Sequence, residues 1–205
     1  CFDVRNDFID RYDGVFIERC RGMFLKERKS LNIIHLYGQH LEAKSRYPET
    51  FAYFKGTDIP REDLDEEERQ RVAEYDNATR YHDEVLGMIM DAFRGQDAVL
   101  VYLSDHGDNI FDGPSHRYGR LAGGLTDEES KRNVREIPFM IWCSDGFVAK
   151  RPAVFEKIKQ RAHLPVCLDD VAHLLFDLGG ITCNYSDPAR SLLGPAYHPH
   201  TTAIE

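Results

Sequence analysis

No stretch of this sequence stays apolar for long. The longest unbroken run, Ala98 to Leu103 (AVLVYL), falls far short of the ~20 residues that a membrane-spanning helix needs. A secretion signal is lacking too, because Cys1 leads straight into the charged stretch Asp3-Val4-Arg5. The chain opens with Cys rather than Met and reads as a piece of something longer. No CxxC pair occurs among the five cysteines (Cys1, Cys20, Cys143, Cys167 and Cys183), which weighs against a zinc ribbon or a thioredoxin-type site. Five is an odd count, so at least one thiol has no partner within the chain; Cys143 and Cys167 read as small, buried apolar residues. Excess positive charge is also missing. The formal net charge is -9, and nonspecific nucleic-acid binding needs lysines and arginines to replace counterions, so no nucleic-acid partner is expected. Internal repeats are absent.

What is present suits a folded chain. Its 205 residues are 42% hydrophobic and 30% charged, enough for a core and an ordinary polar surface in one large domain or two small ones. Asn6 to Lys29 has helical spacing of its apolar residues. Asn32 to Tyr37 is short, β-branched and closed by Gly38, and reads as a buried strand holding His35 as a core histidine. Glu42 to Pro60 reads as an ordered loop. Asp63 to Arg94 is the clearest helix. Its acidic start suits a helix N-terminus, and Val72, Tyr75, Thr79, His82, Leu86, Ile89 and Phe93 form its expected inner face. Ala98 to Leu103 resembles a central parallel strand buried on both faces. A Gly- and Asp-rich loop follows through Gly124. Ile137 to Trp142 reads as another buried strand, and Phe155 to Arg161 as a helix. Asp169 to Leu178 is an amphipathic helix that Gly179-Gly180 should stop. From Tyr185 onward no periodicity is visible. Helices alternating with buried strands indicate a layered α/β fold with a mostly parallel sheet flanked by helices. Functional groups in such folds gather at the carboxyl ends of strands.

Three places therefore matter: Tyr37 to His40, Ser104 to Asp108, and the loop holding His116. Asp105-His106 is the sharpest. A carboxylate and an imidazole at the end of a strand can share one zinc ion, since zinc accepts oxygen and nitrogen donors. Gly107 would let the backbone turn there without a Cβ clash. A polar turn after a strand would look the same. His40 and His116 each follow a strand in a Gly-containing loop, where a histidine can donate to a phosphate or protonate a leaving group; a surface histidine is the plain alternative for each. His82 sits on the apolar helix face and reads as a packed core residue.

Five segments together resemble a known family. Tyr75-Asp76-Asn77-Ala78-Thr79-Arg80-Tyr81-His82-Asp83-Glu84-Val85-Leu86 is similar to a helix signature of bacterial phosphoethanolamine transferases, which belong to the alkaline phosphatase/sulfatase superfamily. Val101 to Asn109 resembles their strand-and-metal motif, and His35-Leu36-Tyr37-Gly38-Gln39-His40 with Arg46-Tyr47-Pro48 resembles their His-Leu-x-Gly-Ser-His and later Arg-Tyr-Pro. Arg135 to Trp142 matches the following strand, and Asp169 to Gly180 a late helix. Order and spacing agree from about Ile33 to Gly180.

The resemblance implies a fold, a site and a reaction. Residues 1-205 would be the C-terminal portion of a single, here incomplete, sulfatase-like catalytic domain. Asp105 and His106 would bind zinc with an acidic residue and a threonine that lie upstream of this chain. That threonine would attack phosphatidylethanolamine and pass phosphoethanolamine to lipid A or a core sugar of lipopolysaccharide. His40 and His116 match histidines beside the phosphate, for substrate binding and leaving-group protonation. The parent would be anchored through an N-terminal membrane region in the inner membrane of a Gram-negative bacterium and face the periplasm. With two of four ligands, the fragment alone should be inactive and bind zinc weakly or not at all. Asp108 stands where the family usually has Glu, and His82 where it has Thr. A sulfatase is an alternative, although no Cys/Ser-x-Pro-x-Arg motif occurs in the chain; so are a phosphoglycerol transferase and a non-catalytic sulfatase-like module.

Overall fold

The computed structural model describes residues 10–24, 29–40, 42–120 and 127–199. Cys1, the ends of the Asn6 to Lys29 stretch and the close of the Gly-rich loop lie outside them. The chain forms two compact units. The first takes residues 1–93 and 103–138, and the second residues 94–102 and 139–205. No helix among the described residues is long and apolar enough to cross a membrane.

Unit 1 is organised by a long helix, α2 (Glu66–Phe93). Asp65 and Glu68 start it reciprocally: Glu68 N–H donates to Asp65 Oδ1 at 2.8 Å, and Asp65 N–H to Glu68 Oε2 at 3.0 Å. The expected helix is there, but its buried stripe is displaced. Ala73, Asn77, Ala78, Tyr81, His82, Val85, Ile89 and Ala92 are buried, while Thr79 is exposed. Small residues and one amide take the tight contacts, so ranking positions by hydrophobicity picked the neighbouring stripe. Asn77 shows why. Its Oδ1 accepts the N–H groups of Tyr53 and Phe54, both at 2.8 Å, and its Nδ2 donates to Phe54 O at 2.9 Å. The 42–60 loop is thereby ordered as expected, with 3-10 turns at Ala43–Arg46, Glu49–Phe51 and Gly56–Asp58.

Helix α1 (Asp13–Cys20) packs on α2. It buries Gly14, Ile17 and Cys20, and Gly14 N–H donates to the Tyr81 hydroxyl at 3.1 Å. The expected strand at Asn32–Tyr37 is not formed. Leu31 is 70% and Ile33 79% exposed, and the segment pairs with no strand among the described residues. β-branched residues favour extended backbone, but a ladder requires a neighbour to bond to. His35 is accordingly exposed and not a core residue.

His82 is buried, and burial holds its imidazole below the ordinary histidine range, with the carboxylates of Asp13 and Asp83 opposing that effect. The unfolded chain thus binds the proton more readily than the folded one. Stability is full above pH ~6.5 and is lost as pH falls through that value toward the depressed folded one. Urea melts between pH 7.5 and 5 should show this loss, and His82→Leu should flatten it; an unchanged slope in the variant would assign the effect to other groups.

The predicted Gly- and Asp-rich loop contains a small antiparallel hairpin, β2 (Ile110–Asp112) and β3 (Arg117–Tyr118). Arg61 ties it to the approach to α2, donating to Phe111 O at 2.9 Å and Asp112 Oδ1 at 3.2 Å. Helix α3 (Glu128–Arg135) follows, capped by Asp127, whose Oδ1 accepts Ser130 N–H at 2.8 Å.

Unit 2 pairs β1 (Val99–Leu103) with β4 (Phe139–Cys143). Ser144, just past β4, donates its N–H to Ala98 O, just before β1, at 3.0 Å. A bond between opposite ends places these two strands antiparallel, as an edge strand can lie in an otherwise parallel sheet. Burial on both faces is not observed: all ten residues of the pair are half-buried among the described residues. Cys143 and Cys167 are likewise half-buried; the four described cysteines are free thiols. Helices α4 (Asp145–Lys150), α5 (Pro152–Arg161) and α6 (Val171–Gly179) complete the unit. Pro152 opens α5, and Gly180 at φ 63 closes α6 as expected.

The aperiodic tail is part of this core. Leu192 and Leu193 pack with Ile158 and Leu174, and Phe139, Ile141 and Cys143 of β4 join them. Arg161 donates to Leu192 O and Gly194 O at 2.5 and 2.6 Å, Lys157 to Leu193 O at 3.0 Å, and Ser191 bonds to Asp177. Side chains from α5 thus satisfy the carbonyls of a segment with no ladder of its own, and Asp177 of α6 accepts from its Ser191 hydroxyl.

Candidate functional site

The segment Ser104–Asn109 is held by α3. Gly107 N–H donates to Val134 O at 2.8 Å, buried Asn109 donates to Ser130 O at 3.3 Å, and Asn133 Nδ2 donates to Asn109 Oδ1 at 3.1 Å. Ser104 Oγ closes the turn on His106 O at 2.6 Å. A Cβ on Gly107 would lie 2.1 Å from Asn133 O. Glycine is thus required here for lack of room against α3, a different cause from the sharp turn that the sequence suggests.

His106 Nδ1 lies 2.8 Å from Gly107 O. A carbonyl only accepts, so Nδ1 is the donor here, and in the neutral imidazole Nε2 is the nitrogen with the free lone pair. Nε2 faces Asp105 Oδ1 at 3.7 Å, and the Asp105 side chain is largely exposed. A histidine that donates one N–H to a backbone carbonyl while presenting the other nitrogen beside a carboxylate is prepared for a metal ion. The pair fits two positions of a tetrahedral zinc site. No cluster of three or more His, Cys, Asp or Glu suited to a metal occurs among the described residues.

Asp108 stands behind them, its Oδ1 4.0 Å from His106 Nδ1. Burial pushes its carboxyl above the usual range; His106, Arg120 and His40 pull it back, and Asp105 adds to the rise. Charges on His40, His106 and Asp105 thus all act on Asp108. His116 is placed otherwise. It sits at the hairpin tip with φ 46, its Nε2 2.9 Å from Glu68 Oε1 and its ring 5.4 Å from that of Phe111. No hydrogen bond or ion pair among the described residues joins it to Asp105, His106 or Asp108. Arg120 and Asn133 were not singled out in the sequence, since a lone Arg or Asn in a polar stretch carries no pattern.

Comparison with known proteins gives this site a context. The sequence profile of the sulfatase family matches residues 5–181. Phosphoethanolamine transferase EptC of Escherichia coli (strain K12) is 34% identical over 179 residues, covering 86% of this chain and 30% of that protein. The Kdo(2)-lipid A phosphoethanolamine 7''-transferase of Salmonella typhimurium is 29% identical over 142 residues, 68% of this chain and 24% of that protein. Among solved structures, the C-terminal periplasmic domain of EptC from Escherichia coli, in complex with Zn, superimposes with a TM-score of 0.81 at 30% identity, covering 97% of this chain and 55% of that one. The chain thus spans less than a third of these relatives and about half of the solved domain. A profile running through most of the chain, together with a matching fold over nearly all of it, means that this chain belongs to the sulfatase family.

Proposed function

We propose that this chain is the C-terminal portion of one sulfatase-like catalytic domain, in a zinc-dependent phosphoethanolamine transferase of the inner membrane whose catalytic part faces the periplasm. The donor is phosphatidylethanolamine and the acceptor an envelope glycolipid, lipid A or a lipopolysaccharide core sugar. One observation carries the reading: His106 turns Nδ1 to the Gly107 carbonyl and Nε2 toward Asp105 Oδ1. The named relatives and the zinc-bound EptC domain support it.

Asp105 and His106 would hold zinc with two further ligands from elsewhere in the complete protein. When bound, the ion lowers the pKa of a coordinated hydroxyl and polarises phosphoryl oxygens. The nucleophile, a threonine in this reading, also comes from outside the chain. His40 donates to the phosphate. His116, oriented by Glu68, is assigned by resemblance to protonation of the leaving group. The chain by itself is inactive and holds zinc weakly.

The test uses the complete protein, expressed in a bacterium without such enzymes of its own. Mass spectrometry of its envelope glycolipids should find added phosphoethanolamine. Asp105→Asn should lower the addition by about a hundredfold or more, since the lost charge stabilisation is several kcal/mol and each ~1.4 kcal/mol is tenfold in rate. No addition from folded, membrane-inserted protein would redirect the assignment to a sulfatase or phosphoglycerol transferase.

A further inference from the structure

The segment that carries His40 has no regular structure and is partly exposed, yet each of its four residues is tied by a different bond. The Asp13 carboxylate, at the start of α1, accepts Tyr37 N–H on Oδ1 at 3.1 Å and Gly38 N–H on Oδ2 at 2.9 Å. Gly38 takes φ 55, open to glycine at no steric cost. Gln39 Nε2 donates to Thr79 Oγ1 of α2 at 3.2 Å. His40 closes the turn with its N–H on Tyr37 O at 3.1 Å, and its own carbonyl accepts from Arg46 Nε at 2.8 Å. The Arg46 guanidinium also lies over the Tyr37 ring, 4.7 Å from its centre, and the Tyr37 and His40 rings meet edge to face at 6.5 Å.

We infer that Asp13 and Arg46 are positioning residues for His40. They grip its loop through its amides and through the His40 carbonyl, and so hold the imidazole in place. An exposed turn of this length needs no such clamp merely to be tolerated by the fold. Ordering it costs conformational entropy, and the return is a catalytic group held in register, where a displacement of about 1 Å can cost about a hundredfold in rate. Asp13 gives one carboxylate oxygen to each of two adjacent amides, and Asn in the same place would set an NH2 donor against one of those N–H groups. Arg46 combines a hydrogen bond with a ring contact, which neither Lys nor Gln reproduces. Neither residue touches the phosphate itself.

This inference rests on the proposed transferase activity. The experiment measures transfer from phosphatidylethanolamine vesicles by the complete protein, with kcat and KM separated. Asp13→Asn and Arg46→Gln should each lower kcat by about 10- to 100-fold with KM changed less than about twofold. In a His40→Ala background neither should lower kcat further, because the group they position is gone. The two act through different bonds, so one serves if the other fails to fold, as judged by its melting temperature. Folded variants as active as the wild type would overturn the inference, as would equal losses in the His40→Ala background, the mark of a general structural role. A wild-type protein without transfer would overturn the proposed function itself, and the role of His40 with it.

Discussion

Asn77→Ala should destabilise the protein by about 3–5 kcal/mol in urea melts, because a buried backbone group that loses its partner costs about 1–3 kcal/mol and three are stranded at once. The side chain is 1% exposed and bonds to both N–H groups and one carbonyl of the Tyr53-Phe54 segment. The sum exceeds the expected value because the released loop can relax toward water. Asn77→Asp keeps the two acceptor bonds but buries a carboxylate and sets its second oxygen against Phe54 O, so it too should destabilise at neutral pH, and less so at a pH low enough to protonate it. Should alanine cost under about 1 kcal/mol, the loop would be held mainly by other contacts, such as Gly56 N–H on Gln70 Oε1 at 3.1 Å.

Gly107→Ala should cost about 3 kcal/mol, the upper part of the range for overpacking, and reduce activity of the complete protein by about a hundredfold or more. The added carbon would meet Asn133 O at 2.1 Å and Glu136 O at 3.0 Å. Both are backbone atoms of α3 or its end, so no side chain can rotate away. The strand-end loop has to shift instead, and it carries His106 and Asp108 with it. Paired calorimetry and activity assays separate the two effects. Wild-type stability in the variant would mean that the loop and α3 separate easily, and the rigid support argued for Asp105-His106 would be lost.

The proposed metal pair Asp105-His106 stands out in the sequence because its signal is local: an apolar strand, then Asp-His-Gly. The long helix was legible from its length and acidic start, but its buried face was not. Ala73 and Ala78 are inside because a neighbour comes close, and Asn77 because a loop needs its amide; neither reason is written in hydropathy. Helix α3 was missed for a related cause. EESKRNVR has no apolar stripe, and its value lies in the carbonyls and amides that it offers to the 104–109 segment. Asn32–Tyr37 has strand composition but no strand beside it. Asp13 and Arg46 escaped notice because the bonds from Asp13 to Tyr37 and Gly38 span 24 and 25 positions, while Arg46 acts through a backbone carbonyl. Side chains that serve chemistry directly leave short motifs; side chains that hold those motifs in place leave separated single letters.

The buried tail bears on the order in which the molecule can form during synthesis. Unit 1's share of this chain ends at position 138. Unit 2 receives residues 94–102 early, then waits for Leu192 and Leu193 to fill the core around Ile158 and Leu174. Until those leucines leave the ribosome, Phe139, Ile141 and Cys143 of β4 lack that cover. That interval is when the nascent chain is most exposed to aggregation, and when a chaperone has most to cover.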